Sequence, residues 1–155
     1  MLVDFKSLSD EARVYYYPSS RKFYPDEVPE LKKRSSDFCQ GLDGVQIAFQ
    51  IHYDRFLVFF VSESTPLSIE QNDKLVGFVL SLEKLYELSL LDKVNVCFKQ
   101  GEYVQRKEID EFKKLIKSRS VSAKTIVFDP MINTKSEFLS NWEGPVSQSW
   151  LGYLF

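Results

Sequence analysis

The succession of apolar periodicities predicts an α+β protein: a ferredoxin-like β-α-β-β-α-β order, then a β-α-β-α extension, with a predominantly antiparallel sheet. Two observations carry that prediction. One is a pair of adjacent strand patterns at residues 45–53 and 56–61, and the other is the long amphipathic helix pattern behind them. At 155 residues, 44% hydrophobic and 27% charged, the chain is expected to form a single domain over 1–155, its weakest seam near Gln100-Gly101.

Arg13-Val14-Tyr15-Tyr16-Tyr17 is β-branched and aromatic and ends at Pro18-Ser19-Ser20, a first strand. Pro25-Asp26-Glu27 opens a helix with acidic residues where the macrodipole favours them, and Gly41 with Gly44 closes it. Pro29 fits only the first turn, where its missing N–H has no bond to lose. Val45, Ile47, Phe49, Ile51 and Tyr53 then alternate with Gln46, Ala48, Gln50 and His52, the period of a strand wet on one face. Phe56 to Val61 is apolar on both faces and belongs at the centre of the sheet. The short Asp54-Arg55 link makes these two strands a hairpin.

Ser68 and Gln71 have capping-box spacing at the start of the longest helix. Leu75, Phe78, Val79, Leu82, Leu85 and Tyr86 form its apolar stripe. Gly77 within it costs about 1 kcal/mol relative to Ala and points to close approach of a neighbouring element. Val94, Val96 and Phe98 make another strand, with Tyr103-Val104 as a short return. Ile109, Phe112, Leu115 and Ile116 define a third helix, and Thr125 to Phe128 a strand stopped by Asp129-Pro130. Thr134 and Glu137 repeat the capping-box spacing before a last helix carrying Phe138 and Trp142, which Glu143-Gly144-Pro145 breaks.

Lys plus Arg at 20 against Asp plus Glu at 22 leaves no global field to gather the protein on nucleic acid or an anionic membrane. Asp4 interrupts the apolar run that a secretory leader needs, and no stretch approaches the ~18 apolar residues of a membrane span. The expectation is a cytoplasmic chain without a membrane, with Cys39 and Cys97 reduced.

The chemical inventory is thin. No G-x-x-x-x-G-K-[ST] or G-x-G-x-x-G run exists, which excludes a P-loop ATPase. Cys39, His52 and Cys97 are too scattered for a zinc site, and a Cys-His pair would have to draw on that one histidine. No catalytic residue, metal or cofactor is therefore assigned. Glu63, Glu70 and Asp73 gather around the entry to the long helix, and with His52 they are the candidate ligand-binding set of a pocket beside it. Glu70 and Asp73 are equally what a helix N-terminus prefers. Lys32-Lys33-Arg34, and Lys113, Lys114, Lys117, Arg119 and Lys124 near Tyr103 and Phe112, could face nucleic acid, but Glu108, Asp110 and Glu111 interrupt the second group.

Aromatic residues are the surplus: 13 Phe, 8 Tyr and 2 Trp. Three consecutive tyrosines cannot share one strand face, and the chain ends Trp150-Leu151-Gly152-Tyr153-Leu154-Phe155. Tyr15, Tyr17, Trp142, Trp150, Tyr153 and Phe155 are accordingly the candidate partner-binding residues, large rings being favoured interface anchors. The leading expectation is a non-catalytic protein that binds a protein or peptide. A small-molecule sensor or enzyme with a carboxylate-lined pocket is the alternative, and a weak nucleic-acid binder a further one.

Several runs carry a resemblance: Ala12-Arg13-Val14-Tyr15, Arg21-Lys22-Phe23, Ile51 to Phe56, Thr125 to Phe128, Asn133 to Phe138, Trp142-Glu143, Ser149-Trp150 and Phe155. Through them the chain resembles a family of small, uncharacterised Bacteroidota proteins often labelled "ABC transporter ATPase". Members often carry Cys-Ser-Ile-Asp at the entry to the long helix and a His after the last Trp. Here Leu67-Ser68-Ile69-Glu70 and Leu151 stand at those places. The resemblance implies no nucleotide chemistry, and the thiol and imidazole it would have offered are missing.

Overall fold

In a computed structural model, which describes residues 1–155, the chain divides into two compact units. The first comprises residues 1–92 with 133–136, and the second 93–132 with 137–155. The division falls at Asp92-Lys93. Gln100-Gly101 is not a seam: Gly101, at φ 62°, turns a hairpin inside the second unit.

The first unit holds β1 (Arg13–Pro18), α1 (Glu27–Gln40), β2 (Ile47–His52), β3 (Phe56–Val61) and α2 (Ile69–Tyr86). Its sheet has the order β1-β3-β2, with β3 antiparallel to both neighbours. This is a split β-α-β arrangement, in which α1 carries the chain over β3 between two parallel strands. Phe59 lies opposite Tyr15 on one side and Phe49 on the other. Tyr17, Ile47, Leu57, Phe59 and Val61 pack with Leu31 and Cys39 of α1 and Leu75, Val79 and Leu82 of α2. On the opposite face Tyr16 stacks on Phe56 with centroids 5.8 Å apart, and Phe5 meets Phe60 at 4.7 Å. Every residue of β3 is buried, as its two-faced apolarity predicts.

Short segments meet part of each outer edge of this three-stranded sheet. Along β1, the Val14 N–H donates to the Asn133 carbonyl at 2.9 Å and the Lys135 N–H to the Ala12 carbonyl at 2.8 Å. Along β2, the Val3 N–H donates to the Ile47 carbonyl at 2.9 Å, and the Ile47 N–H to the Met1 carbonyl at 3.1 Å. The strand after α2, which a four-stranded ferredoxin-like sheet would take in, pairs within the second unit instead.

Ser68 and Gln71 form the capping box in full, and Gln71 Nε2 also donates to the Asp43 carbonyl at 3.1 Å. α2 ends in a left-handed residue, Glu87 at φ 54°, and the Leu88 N–H reaches back to the Glu83 carbonyl at 3.2 Å. Two details of that helix differ from expectation. Leu85 is exposed, and Gly77 has open space where a Cβ would stand, so no element approaches it. Tyr53 also leaves its strand, because positive φ at Tyr53 (55°) and Asp54 (49°) makes these two residues the turn of the β2–β3 hairpin.

The second unit is an antiparallel sheet ordered β5-β4-β6-β7. Its strands are β4 (Val96–Gln100), β5 (Tyr103–Lys107), β6 (Ile126–Phe128) and β7 (Glu143–Pro145). Val96, Phe98 and Val127 pack with Phe112 of α3 (Ile109–Lys117) and with Val121, Val146 and Leu151. Helix α4 (Lys135–Asn141) precedes β7. Glu143-Gly144-Pro145 does break that helix, but it then pairs with β6 as an edge strand, a place that tolerates proline. No helix is long and apolar enough to cross a membrane.

Candidate functional site

The carboxylates and the histidine do not converge. His52 ends β2 opposite Phe56, whereas Glu63 lies just past Val61 at the other end of β3. Five strand steps at ~3.4 Å separate those ends by about 17 Å. The Glu63 carboxylate accepts the Ser9 hydroxyl. Glu70 is exposed in the first turn of α2, 3.7 Å from Lys74, and Asp73 is exposed one turn on. These are the positions that the helix macrodipole rewards, and the recess that His52 lines includes neither of them, nor Glu63. His52 Nε2 lies 2.7 Å from Gln50 Oε1.

Cys39 and Cys97 are both buried and free. Burial pushes the Cys39 thiol up to about 12, so it holds no thiolate at neutral pH. No group of three or more His, Cys, Asp or Glu side chains is placed to hold a metal ion.

The candidate partner-binding aromatics separate by location. Tyr17 is buried in the first unit's core, edge-on to Phe59 at 6.1 Å, and burial raises its hydroxyl to about 12. Trp142 is buried in the second unit, stacked on Phe138 at 4.7 Å and tilted against Phe128 at 4.9 Å. Neither can serve as contact surface. Tyr15 and Trp150 are half-buried, and the fully buried Leu151 pins the tail. Tyr153 and Phe155, at 70% and 50% exposure, remain open. On the basic face, Phe112 is inside, 5.1 Å from Phe98, and offers no base-stacking platform.

The feature that sequence reasoning missed is the outer edge of β2. Each of the other sheet edges is blunted. Residues 133–136 cover part of β1, Arg106 and Lys107 charge β5, and β7 is three residues long with a proline. In β2, Ile47 turns both its N–H and its C=O outward to the segment 1–3, while the Gln46 carbonyl turns inward to the Ser62 N–H at 2.9 Å. Backbone direction alternates in an antiparallel pair, so Phe49 and Ile51 also point their N–H and C=O outward. Nothing in the chain pairs with them.

Beside this open stretch lies a recess of about 540 Å³, lined by Lys32, Lys33 and Ser36 of α1 and by residues 49–52 of β2. Phe49 and Ile51 give it an apolar wall and are only partly buried against the core. Lys32 is exposed and has no acidic partner, and Lys33 lies 3.3 Å from Asp37, both groups well exposed. No carboxylate lines the recess. The strand pattern was legible in the sequence, but its place at an open edge depends on pairing order, which no local signal encodes.

A second recess, of about 330 Å³, lies in the second unit among Asp129, Asn141, Gln148 and Trp150. Two of its polar groups already serve the fold. Asp129 Oδ1 accepts the Met131 N–H at 2.8 Å, and the Ser149 hydroxyl donates to the Val146 carbonyl at 2.7 Å. No family model, curated protein or solved structure matches this chain.

Proposed function

We propose that this is a non-catalytic cytoplasmic protein that binds a partner by taking up an extended peptide segment as an added strand on β2. The observation that carries the reading is the outward-facing, unpaired backbone of Phe49 and Ile51 beside an apolar recess. Strand addition needs just these two parts: main-chain groups for affinity and a side-chain pocket for selection. Pairing of residues 1–3 with Ile47 supports it, since that edge already takes up a short extended segment through a single parallel bridge. Three charged residues of the shared runs also have structural partners. Arg21 pairs with Glu27, Arg55 Nε donates to the Ser19 carbonyl at 3.2 Å, and Lys135 Nζ donates to the Phe5 and Leu8 carbonyls. We take the likeness to the Bacteroidota proteins as kinship that supplies no activity.

The test is selection of a displayed random-peptide library on the intact protein, followed by calorimetric titration of the selected peptides. Ile51→Pro removes an outward N–H and leaves the β3 ladder in place, a substitution that edge strands tolerate. The expected result is a peptide set whose affinity falls at least tenfold in Ile51→Pro, with circular dichroism unchanged. An empty selection, or equal affinity for both forms, would overturn the reading.

A further inference from the structure

We infer that the segment taken up on β2 is acidic: an extended peptide presenting a carboxylate and an apolar side chain two residues apart. This deepens the strand-addition reading and rests on it. The first argument is charge. The recess carries Lys32 and Lys33 on α1 and no carboxylate in its lining, so a neighbouring anion meets two ammonium groups and no repulsion from within the site. Lys32 is uncommitted, and the Lys33–Asp37 pair is a surface contact that a closer carboxylate can exchange at little cost.

The second argument is periodicity. Phe49 and Ile51 project from the same face of β2, the face on which they touch the helix-packed core. A strand laid beside them directs alternate residues toward that wall and toward α1 above it. An apolar residue there covers Phe49, Ile51 and the aliphatic stems of the lysines. A residue two places along on the same face brings a carboxylate to the ammonium groups. The recess, at about 540 Å³, is shallow and open to solvent, the form of a surface groove rather than an enclosed cavity.

A second copy of this chain is the competing occupant, because two β2 edges could pair antiparallel about Gln50. Charge argues against it. Each copy would bring its own Lys32 and Lys33 to the junction, and like charges across a new interface oppose docking. An acidic peptide relieves the charge that a second copy would double.

The experiment uses the intact protein and three extended peptides of equal length with the same apolar residues, carrying two Asp or Glu, two Ser, or two Lys. Binding is measured by calorimetry at low and moderate salt against wild type, Lys32→Glu/Lys33→Glu and Ile51→Pro. Sedimentation is run on each form without peptide. The acidic peptide is expected to bind wild type best, more weakly at higher salt, roughly tenfold more weakly in the charge-reversed variant, and not detectably in Ile51→Pro. The Lys peptide should gain affinity in the charge-reversed variant. Equal affinity for all three peptides, with loss in Ile51→Pro, would overturn the acidic inference and leave strand addition standing. Self-association that Ile51→Pro abolishes would assign the edge to a second copy and overturn it too. Absence of binding by every peptide, with no self-association, would remove both.

Discussion

Ser35 sits on the buried side of α1 with its hydroxyl enclosed and no hydrogen-bond partner. An enclosed, unpaired hydroxyl costs ~1–3 kcal/mol, and alanine is also the better helix former. Ser35→Ala is therefore expected to raise stability by ~1 kcal/mol or more, read as a higher urea midpoint with an unchanged slope. Arg21 works in the opposite sense. Its guanidinium meets both carboxylate oxygens of Glu27, at 2.8 and 3.0 Å, donates to the Tyr86 carbonyl at 2.6 Å and stands 4.1 Å over the Tyr24 ring. The Arg21 hydrogen bonds, only partly opposed by burial, hold the Glu27 carboxyl below its usual range. A depressed carboxyl contributes fully above its unfolded value, ~4.3, and loses that contribution as pH falls through the lower folded value. Glu27→Gln should thus cost ~1–3 kcal/mol at pH 7 and progressively less below pH 4. Urea titrations of both forms from pH 7 to pH 3 check this, and a constant difference would show that ionisation is not involved.

At the level of single elements, α2 depends on its first turn. Ser68 Oγ accepts the Gln71 N–H at 3.1 Å and Gln71 Oε1 accepts the Ser68 N–H at 3.0 Å, so two orphan donors are satisfied at once. Ser68→Ala is expected to cost ~1 kcal/mol, measurable as a lowered melting temperature. That cap could be read directly from residue spacing, and so could both strands of the central hairpin and the interior place of β3. Such features are set by near neighbours along the chain. The place of Tyr53 in a turn, and the strand that Glu143-Gly144-Pro145 forms after breaking its helix, were not legible there for the complementary reason. A tyrosine at positive φ and a glycine-proline pair in a strand both run against local preference: the first turns a hairpin closed by His52 and Phe56, and the second is held by pairing with β6. The candidate site shows the same division. Phe49, Ile51 and Lys32-Lys33 each stood out in the sequence, but their meeting around one open edge depends on the sheet order β1-β3-β2.

For the whole molecule, the aromatic surplus resolves mainly into packing: Phe23, Phe56, Phe59, Phe60, Phe98, Phe112 and Phe128 are all fully enclosed. Enclosure of titratable groups in the first unit gives that packing a pH signature. Burial raises the Cys39 thiol and the Tyr17 hydroxyl to about 12 each, above unfolded values of ~8.5 and ~10. Raised acids stabilise fully below their unfolded values and lose that contribution as pH climbs toward the folded ones. Stability should hold to about pH 8.5 and decline steadily toward pH 12, with Cys39→Ala flattening the first part of the decline. Urea midpoints at pH 7, 9 and 10.5 test this, and a flat profile would contradict it. β3 has a consequence of another kind. Phe56-Leu57-Val58-Phe59-Phe60-Val61 is uncharged, free of proline and glycine, and rich in residues that favour cross-β stacking. While folded, it is shielded on both faces and flanked by strands on both sides. Once released by heat it becomes the stickiest stretch of the chain, so heated samples should precipitate rather than recover, and their apparent melting point should move with scan rate.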